Sequence, residues 1–305
     1  MKSAHWSRRE IIGAGLALGT SPGIAFASER EHMLTRQIPS SGEALPVVGL
    51  GTYSVFDVGG SPAEIEVRRK IVEMLTARGG SLLDTSPMYN RSEKVIGDII
   101  QMSAKREQLF LATKVWTDGQ AAGAGQMQRS ADLMRTNVID LMQVHNLRDT
   151  AVHMNTIHEW QDEGRIRYNG LTHYTAGGQE ALQREMQEFK PDFIQINYSL
   201  GEREAENRVL PMAKDLGVAV LINRPFQSGQ LFSAVSGTKL PDWAGTFAAS
   251  WGQFFLKFII SHPAVTCVIP ATSKTRHMID NLDAGFGELP DETTRRRMTE
   301  FFVSI

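Results

Sequence analysis

One cysteine stands in the whole chain, Cys267, inside "AVTCVIP". A lone cysteine excludes an internal disulfide, and its apolar neighbours make it a core residue. A basic surplus is missing as well: 32 Lys and Arg face 34 Asp and Glu. That balance excludes nucleic acid as an expected partner. The local cluster "TRRRM" (294–298) reads as a solvated helix face. No stretch reaches the about 20 strongly apolar residues that a bilayer span needs. The glycine fingerprint of dinucleotide-binding sheets is also wanting. "GAGLALG" (13–19) has no strand before it, and "AAGAGQM" (121–127) follows polar residues. This weighs against an open doubly wound sheet. His153 and His158 lie five apart, not at metal-pair spacing, so both read as surface residues and no metal is expected.

What is present begins with "SRREIIGAGLALG" (7–19). Arg8 and Arg9 precede a run from Ile11 to Ala27 without a charge, which closes in "AFA" before Ser28. A charged start, a modestly apolar middle and small residues at the end predict a twin-arginine secretory signal over residues 1–27. An uncleaved anchor and an ordinary amphipathic helix compete with that reading, and the glycine content disfavours the anchor. The expectation is a folded protein, exported by the twin-arginine machinery to the periplasm, monomeric and without a membrane span after cleavage. Loss of Lys2, Arg8, Arg9 and Glu10 would move the formal charge from −2 to about −4.

Residues 28–305 open with a hairpin signal at Pro39–Ser40–Ser41–Gly42. Eight short apolar runs then follow: 46–52, 81–86, 109–115, 139–146, 166–174, 193–199, 218–223 and 265–271. Between them lie stretches with apolar residues at three- and four-residue spacing, such as "AEIEVRRKIVEMLTARGG". Strand–helix alternation predicts a parallel sheet covered by helices. Eight units in one domain of this length predict an α/β fold, a (β/α)8 TIM barrel with an N-terminal β-hairpin. The interval 224–264 has no strand signal, and long connections on such a barrel sit at its active face.

Active groups on this fold lie at the C-terminal ends of the strands. Reading those ends gives Thr52, Asp84, Lys114, His145, His173, Gln195, Asn223 and Thr272. An acid, a lysine and a histidine at successive ends converge on one mouth, where a desolvated lysine needs Asp84 as its partner. A structural ion pair with a core histidine is the plainer alternative. Tyr89, five residues past Asp84, weakens it, because a phenol swung over the mouth beside Lys114 has a cation to stabilise its anion.

"SLLDTSPMYN", "ATKV" and "QVHN" resemble the Asp–Tyr–Lys–His tetrad of the aldo-keto reductases. "PVVGLGTY" and "VIPATSKTRHMIDN" resemble that family's first strand and its nucleotide-binding segment. The likeness runs from about Arg36 to Asn281. It implies a barrel that binds NADPH and reduces a small carbonyl substrate. Tyr89 would be the general acid, Lys114 would lower its pKa, Asp84 would orient the lysine and His145 would position the substrate. The implied nucleotide contacts are Thr52, Tyr53 and Asp84, then His173, Tyr174 and Gln195 around the carboxamide. They continue with Asn223, Arg224, Pro225 and Phe226 after the seventh barrel strand, and with Thr272, Ser273, Lys274, Arg276, His277, Asp280 and Asn281 at the adenosine end.

Two positions depart from the family pattern. Asn223 replaces the ring that stacks on nicotinamide, and Arg224 replaces the following serine, bringing a guanidinium near the pyrophosphate. Ala271 stands where many members carry a lysine for the 2′-phosphate. Lys274 and Arg276 lie close by and favour NADPH over NADH. The expected function is therefore an exported, NADP(H)-dependent reductase of small aldehydes or ketones. A nucleotide-binding regulatory subunit of the same fold is the alternative, and a carboxylate hydrolase lacks a second acid.

Overall fold

The computed structural model describes residues 32–102 and 106–305. The segment read as an export signal lies outside the described residues. A two-stranded hairpin, β1 (Thr35–Gln37) and β2 (Ala44–Pro46), precedes eight parallel strands. These are β3 (Leu50–Gly51), β4 (Leu82–Asp84), β5 (Phe110–Val115), β6 (Ile139–His145), β7 (Ile166–Thr172), β8 (Phe193–Asn197), β9 (Ala219–Asn223) and β10 (Cys267–Val268). The helices are α1 (Pro62–Ala77), α2 (Ser92–Met102), α3 (Gln120–Leu133), α4 (Thr150–Asp162), α5 (Gln179–Phe189), α6 (Val209–Leu216), α7 (Gln230–Ala234), α8 (Trp251–Ile260), α9 (Thr275–Asp283) and α10 (Glu292–Val303). The strand-free interval 224–264 thus holds α7 and α8.

Each strand pairs with the next in chain order, and bridges Val48–Val268 and Gly51–Ala271 bring β3 back to β10. Gly51 makes this seam possible. A Cβ there would sit 2.8 Å from the Ile269 carbonyl oxygen, too close for any side chain.

Alternation along the strands then sorts the side chains, because successive residues point to opposite faces. Leu82, Phe110, Leu141, Tyr168, Phe193, Leu221 and Cys267 form the cluster inside the barrel. Their neighbours Leu83, Leu111, Met142, Leu171, Ile194, Val220 and Val268 belong to the larger core beneath the helices. Ile38 and Leu45 of the hairpin region join the inner cluster and plug the lower end. There Phe110 and Tyr168 stack at 5.8 Å, and the Tyr168 hydroxyl donates to the Glu43 carboxylate at 2.6 Å. Further along these strands the inner face turns polar at Asp84, Lys114, Gln143, His145 and Gln195, all buried, while Ala112 and Ile269 stay in the apolar cluster. A filled base and a polar mouth follow from one period-2 pattern.

Caps set the helix starts. Ser61 Oγ accepts from the Glu64 amide before α1, Ser250 Oγ from Gln253 before α8, and an Asp291 carboxylate oxygen from Thr294 before α10.

Two surface expectations are corrected. His153 is fully buried on α4, its Nε2 2.8 Å from the Thr117 carbonyl and its ring tight against Gly123 of α3. It shares a helix face with Thr150, Met154, Ile157 and Trp160, whereas His158, about 140° further round, is exposed. Arg295 does not face solvent either. Its guanidinium donates to Glu206 at 2.7 Å and to the Tyr198 hydroxyl at 2.8 Å, tying α10 to the loop after β8.

Candidate active site

Asp84 ends β4 and Lys114 is the penultimate residue of β5, so both inward-pointing side chains reach the upper end of the barrel. Lys114 Nζ donates to Asp84 Oδ1 and Oδ2 at 2.9 and 2.8 Å and to the Thr85 carbonyl at 2.7 Å. The Tyr89 hydroxyl is a further hydrogen-bond partner of the same ammonium. The lysine is 0% exposed. Burial pulls its pKa down, but the charges of Asp84 and Tyr89 outweigh that, and the net shift is upward from 10.5. Lys114 therefore stays charged across neutral pH.

Asp84 has further donors. Gln195 Nε2 reaches its Oδ1 at 2.8 Å, and Gln143 Nε2 reaches the same atom at 3.2 Å. Gln195 Nε2 also lies 3.2 Å from Gln143 Oε1. Gln143 was missed as a site residue in the sequence. It sits two positions before His145 on β6, on the same strand face, so the period-2 rule was the signal that would have found it.

Tyr89 closes over this pair. Lys114 Nζ lies 5.1 Å from the centre of its ring, and Tyr53 meets it edge-on at 5.1 Å. Burial raises the phenol pKa, Lys114 acts in the opposite direction, and burial wins. The lysine's own contribution lowers this pKa, as the resemblance implies, and burial adds a larger contribution the other way. In the protein without ligand the hydroxyl is firmly protonated.

His145 is the neutral member. Its pKa falls to about 3, through burial first and then the charges of Lys114 and His173. Its Nδ1 lies 3.2 Å from Ser86 Oγ, and that hydroxyl already accepts from the Met88 amide at 3.2 Å. The Ser86 hydroxyl can donate to Nδ1, an arrangement in which the neutral ring carries its proton on Nε2. Ser86 had no signal of its own beyond its place two residues after Asp84.

The nucleotide-side residues fall on adjoining strand ends. Thr52 Oγ1 donates to the Asp84 carbonyl at 2.9 Å, and Tyr53, 66% exposed, sits at the rim. His173 and Tyr174 follow β7 with stacked rings 5.8 Å apart. Asn223 ends β9, its Nδ2 donating to the His173 carbonyl at 3.2 Å and approaching Gln195 Oε1 at 3.4 Å. Arg224, Pro225 and Phe226 come directly after it. Asn223 Oδ1 and Arg224 Nε are buried without a partner.

Thr272 Oγ1 accepts from the Lys274 amide at 3.1 Å just before α9, and Ser273 is half-buried beside it. Lys274, Arg276 and His277 are exposed there, with Arg276 Nε 3.3 Å from His277 Nε2. Asn281 is buried further along α9. Asp280 is engaged elsewhere: Ser250 Oγ and Gln253 Nε2 both donate to it, at 2.7 and 2.9 Å, joining α9 to α8. Among the described residues no cluster of three or more His, Cys, Asp or Glu is arranged to hold a metal, and no helix is long and apolar enough to cross a membrane.

Comparison with known proteins agrees with this geometry. The aldo-keto reductase YhdN of Bacillus subtilis is 29% identical over 197 residues, 57% of this chain, and the match spans little more than half (56%) of that protein's length. The glyoxal reductase of the same organism is 25% identical over 259 residues, covering 83% of this chain and 87% of its own. A crystal structure of an aldo/keto reductase from Klebsiella pneumoniae, in complex with NADP and acetate, superposes with a TM-score of 0.71 at 23% identity. It covers 86% of this chain and 93% of that one, a likeness of fold. Residues 47–297 match the Aldo/keto reductase family. That span begins before β3 and runs into α10, so it takes in every barrel strand and all four members of the tetrad, and the chain belongs to the aldo/keto reductase family.

Proposed function

We propose that the protein is an NADP(H)-dependent oxidoreductase that reduces small aldehydes or ketones to alcohols. The observation that carries this reading is the fully buried Lys114–Asp84 pair set beneath the ring of Tyr89, with a neutral His145 edge-on to the same ring at 6.2 Å. The nucleotide, when bound, supplies a hydride to the carbonyl carbon. Tyr89 holds the proton that the carbonyl oxygen then takes. Lys114 stabilises the phenolate left behind, and Asp84 keeps the ammonium in place with help from Gln143 and Gln195. His145, through Nε2–H, orients the carbonyl oxygen as a neutral donor that carries no competing charge.

The residues fit a nicotinamide nucleotide. Asn223 Oδ1 and Arg224 Nε are buried and unpartnered at the end of β9, and such atoms call for a polar ligand. Lys274 and Arg276 stand exposed at the start of α9, where a 2′-phosphate favours cations. The name of the Bacillus subtilis glyoxal reductase supports a small, reactive aldehyde as substrate class.

Mixing the purified protein with NADPH and a panel of small aldehydes and ketones should consume NADPH in step with alcohol formed. A panel that leaves NADPH intact would refute the reading. Lys274→Ala with Arg276→Ala should lower the preference for NADPH over NADH by at least about 10-fold, since charge-assisted bonds contribute about 1.5–3 kcal/mol each. An unchanged ratio would place the 2′-phosphate elsewhere.

We further propose that the chain leaves the cytoplasm folded and works in the periplasm. Arg8–Arg9 and the uncharged run to Ala27 support this. Arg8→Lys together with Arg9→Lys should strand the protein in the cytoplasm, as cell fractionation would show. Equal periplasmic amounts of variant and parent would argue against the twin-arginine route.

A further inference from the structure

Tyr89 stands on the turn 86–90 after β4, and the residue that follows it is left-handed, with φ of Asn90 at 50°. Glycine occupies that region without steric cost, and asparagine is among the few side chains that visit it, helped by bonds of its short amide. In this chain the amide reaches far along the sequence. Asn90 Nδ2 donates to Asp57 Oδ2 at 2.7 Å, across 33 residues. The other carboxylate oxygen, Oδ1, accepts from the Arg91 amide at 3.4 Å. Asn90 and Asp57 are both exposed, so packing gives no reason for the pair. Its place beside the proton donor does.

Asp57 lies on the loop between β3 and α1, four residues past Tyr53. That loop is anchored at its middle, where Phe56 is fully buried and the Val55 carbonyl accepts from Arg68 Nε at 2.8 Å. Its Tyr53 end is largely exposed and meets the Tyr89 ring edge-on at 5.1 Å. The two loops thus touch twice, Tyr53 on Tyr89 and Asp57 on Asn90. One contact fixes a distance, whereas two fix an orientation. On its other sides Tyr89 faces Lys114 of β5, Asp84 of β4 and His145 of β6. Those three sit on paired strands, so the alignment of the phenol depends on the turn that carries it.

We propose that Asp57 and Asn90 are positioning residues whose bond clasps the Tyr53 loop to the Tyr89 turn, aligning the phenol over Lys114 and keeping water from it. The inference rests on the reading of Tyr89 as the proton donor. With the clasp gone, the Tyr53 ring is free to leave and the phenol gains water. Burial is what raises its pKa against the pull of Lys114, so wetting it moves the pKa down. Loss of alignment meanwhile slows the proton transfer.

Ionisation of the phenol can be read directly from ultraviolet tyrosinate absorbance, with the same titration of Tyr89→Phe subtracted to isolate Tyr89 from the other tyrosines. Asn90→Gly keeps the left-handed backbone and removes only the bond, so it should fold as the parent does. Its kcat should fall by about 3- to 10-fold, the yield of one hydrogen bond, with the KM for nucleotide unchanged. Its phenol should titrate at lower pH than the parent's, carrying the alkaline limb of the pH–rate profile with it. Asp57→Ala should match it, and Asp57→Asn, which keeps an acceptor oxygen for the amide, should fall between. The double variant Asn90→Gly with Asp57→Ala should be no worse than either single one, because both remove the same bond.

Parental kcat and phenol titration in folded Asn90→Gly and Asp57→Ala would overturn the clasp. So would losses that simply add in the double variant, which would give the two residues separate roles. A lowered melting temperature with an unmoved phenol would leave the pair a structural bond and overturn its positioning role. The titration needs neither nucleotide nor carbonyl. A parent that leaves NADPH intact would therefore remove the reductase reading, while the phenol shift in the variants would still report on the clasp by itself.

Discussion

Lys114→Met is expected to cost both activity and fold. The methionine fills a similar volume but leaves Asp84 buried with only amide donors from Gln143 and Gln195. Breaking a buried ion pair from one side typically costs about 3–5 kcal/mol. Denaturant unfolding should therefore show a loss of that order. The sign of the pH dependence follows from the raised pKa of Lys114, which burial opposes and Asp84 and Tyr89 together more than reverse. The stabilisation is complete below the ordinary lysine value of 10.5 and is lost only as pH climbs through the folded value. Adding Asp84→Asn to the variant should recover part of the lost stability, since the stranded carboxylate is then gone. In catalysis the same substitution removes the charge that opposes the burial of Tyr89. Its phenol pKa should rise further, carrying the alkaline limb of the pH–rate profile upward while turnover collapses. A variant as stable as the parent, with an unmoved alkaline limb, would show that the pair neither supports the fold nor couples to the phenol.

Tyr89→Phe should leave the architecture standing and stop the chemistry. The ring contacts with Tyr53, His145 and Lys114 need no hydroxyl. Thermal stability and nucleotide affinity should thus stay close to the parent's. What disappears is the proton given up to the carbonyl oxygen, since neutral His145 only orients that oxygen and Lys114 is held by Asp84 and Thr85. General acid catalysis contributes about 10²- to 10⁴-fold, and kcat should fall by that factor. Measured kcat within a few-fold of the parent would take Tyr89 out of the proton transfer and require another donor at the mouth.

Much of this was legible in the chain itself. Each of the eight apolar runs contains one barrel strand, and Asp84, Lys114 and His145 stand at or next to successive strand ends with Tyr89 just past the first, because strand alternation is a local property of period two. The hairpin before them was announced by Pro39–Ser40–Ser41–Gly42, whose turn requires Gly42 at φ 76°. Other features were out of reach of such patterns. His153 has a polar side chain in a helix of mixed composition, and only the approach of Gly123 and Thr117 from neighbouring segments turns it inward. Arg295 belongs to a run of three arginines, and its role depends on Glu206 and Tyr198, 89 and 97 residues away.

The sequence by itself determined which run holds each barrel strand, which residues alternate toward the barrel axis, and so which chemical groups meet at one mouth. Those outcomes depend on neighbours one to four positions apart, which the chain states directly. Only the tertiary structure decided how the groups are paired and how they titrate. Asp84 takes its second strong donor from Gln195, 111 residues away. The phenol of Tyr89 is governed more by burial than by the lysine beside it. Desolvation and pairing at that mouth sum contributions from strands far apart in the chain, and no local spacing records that sum.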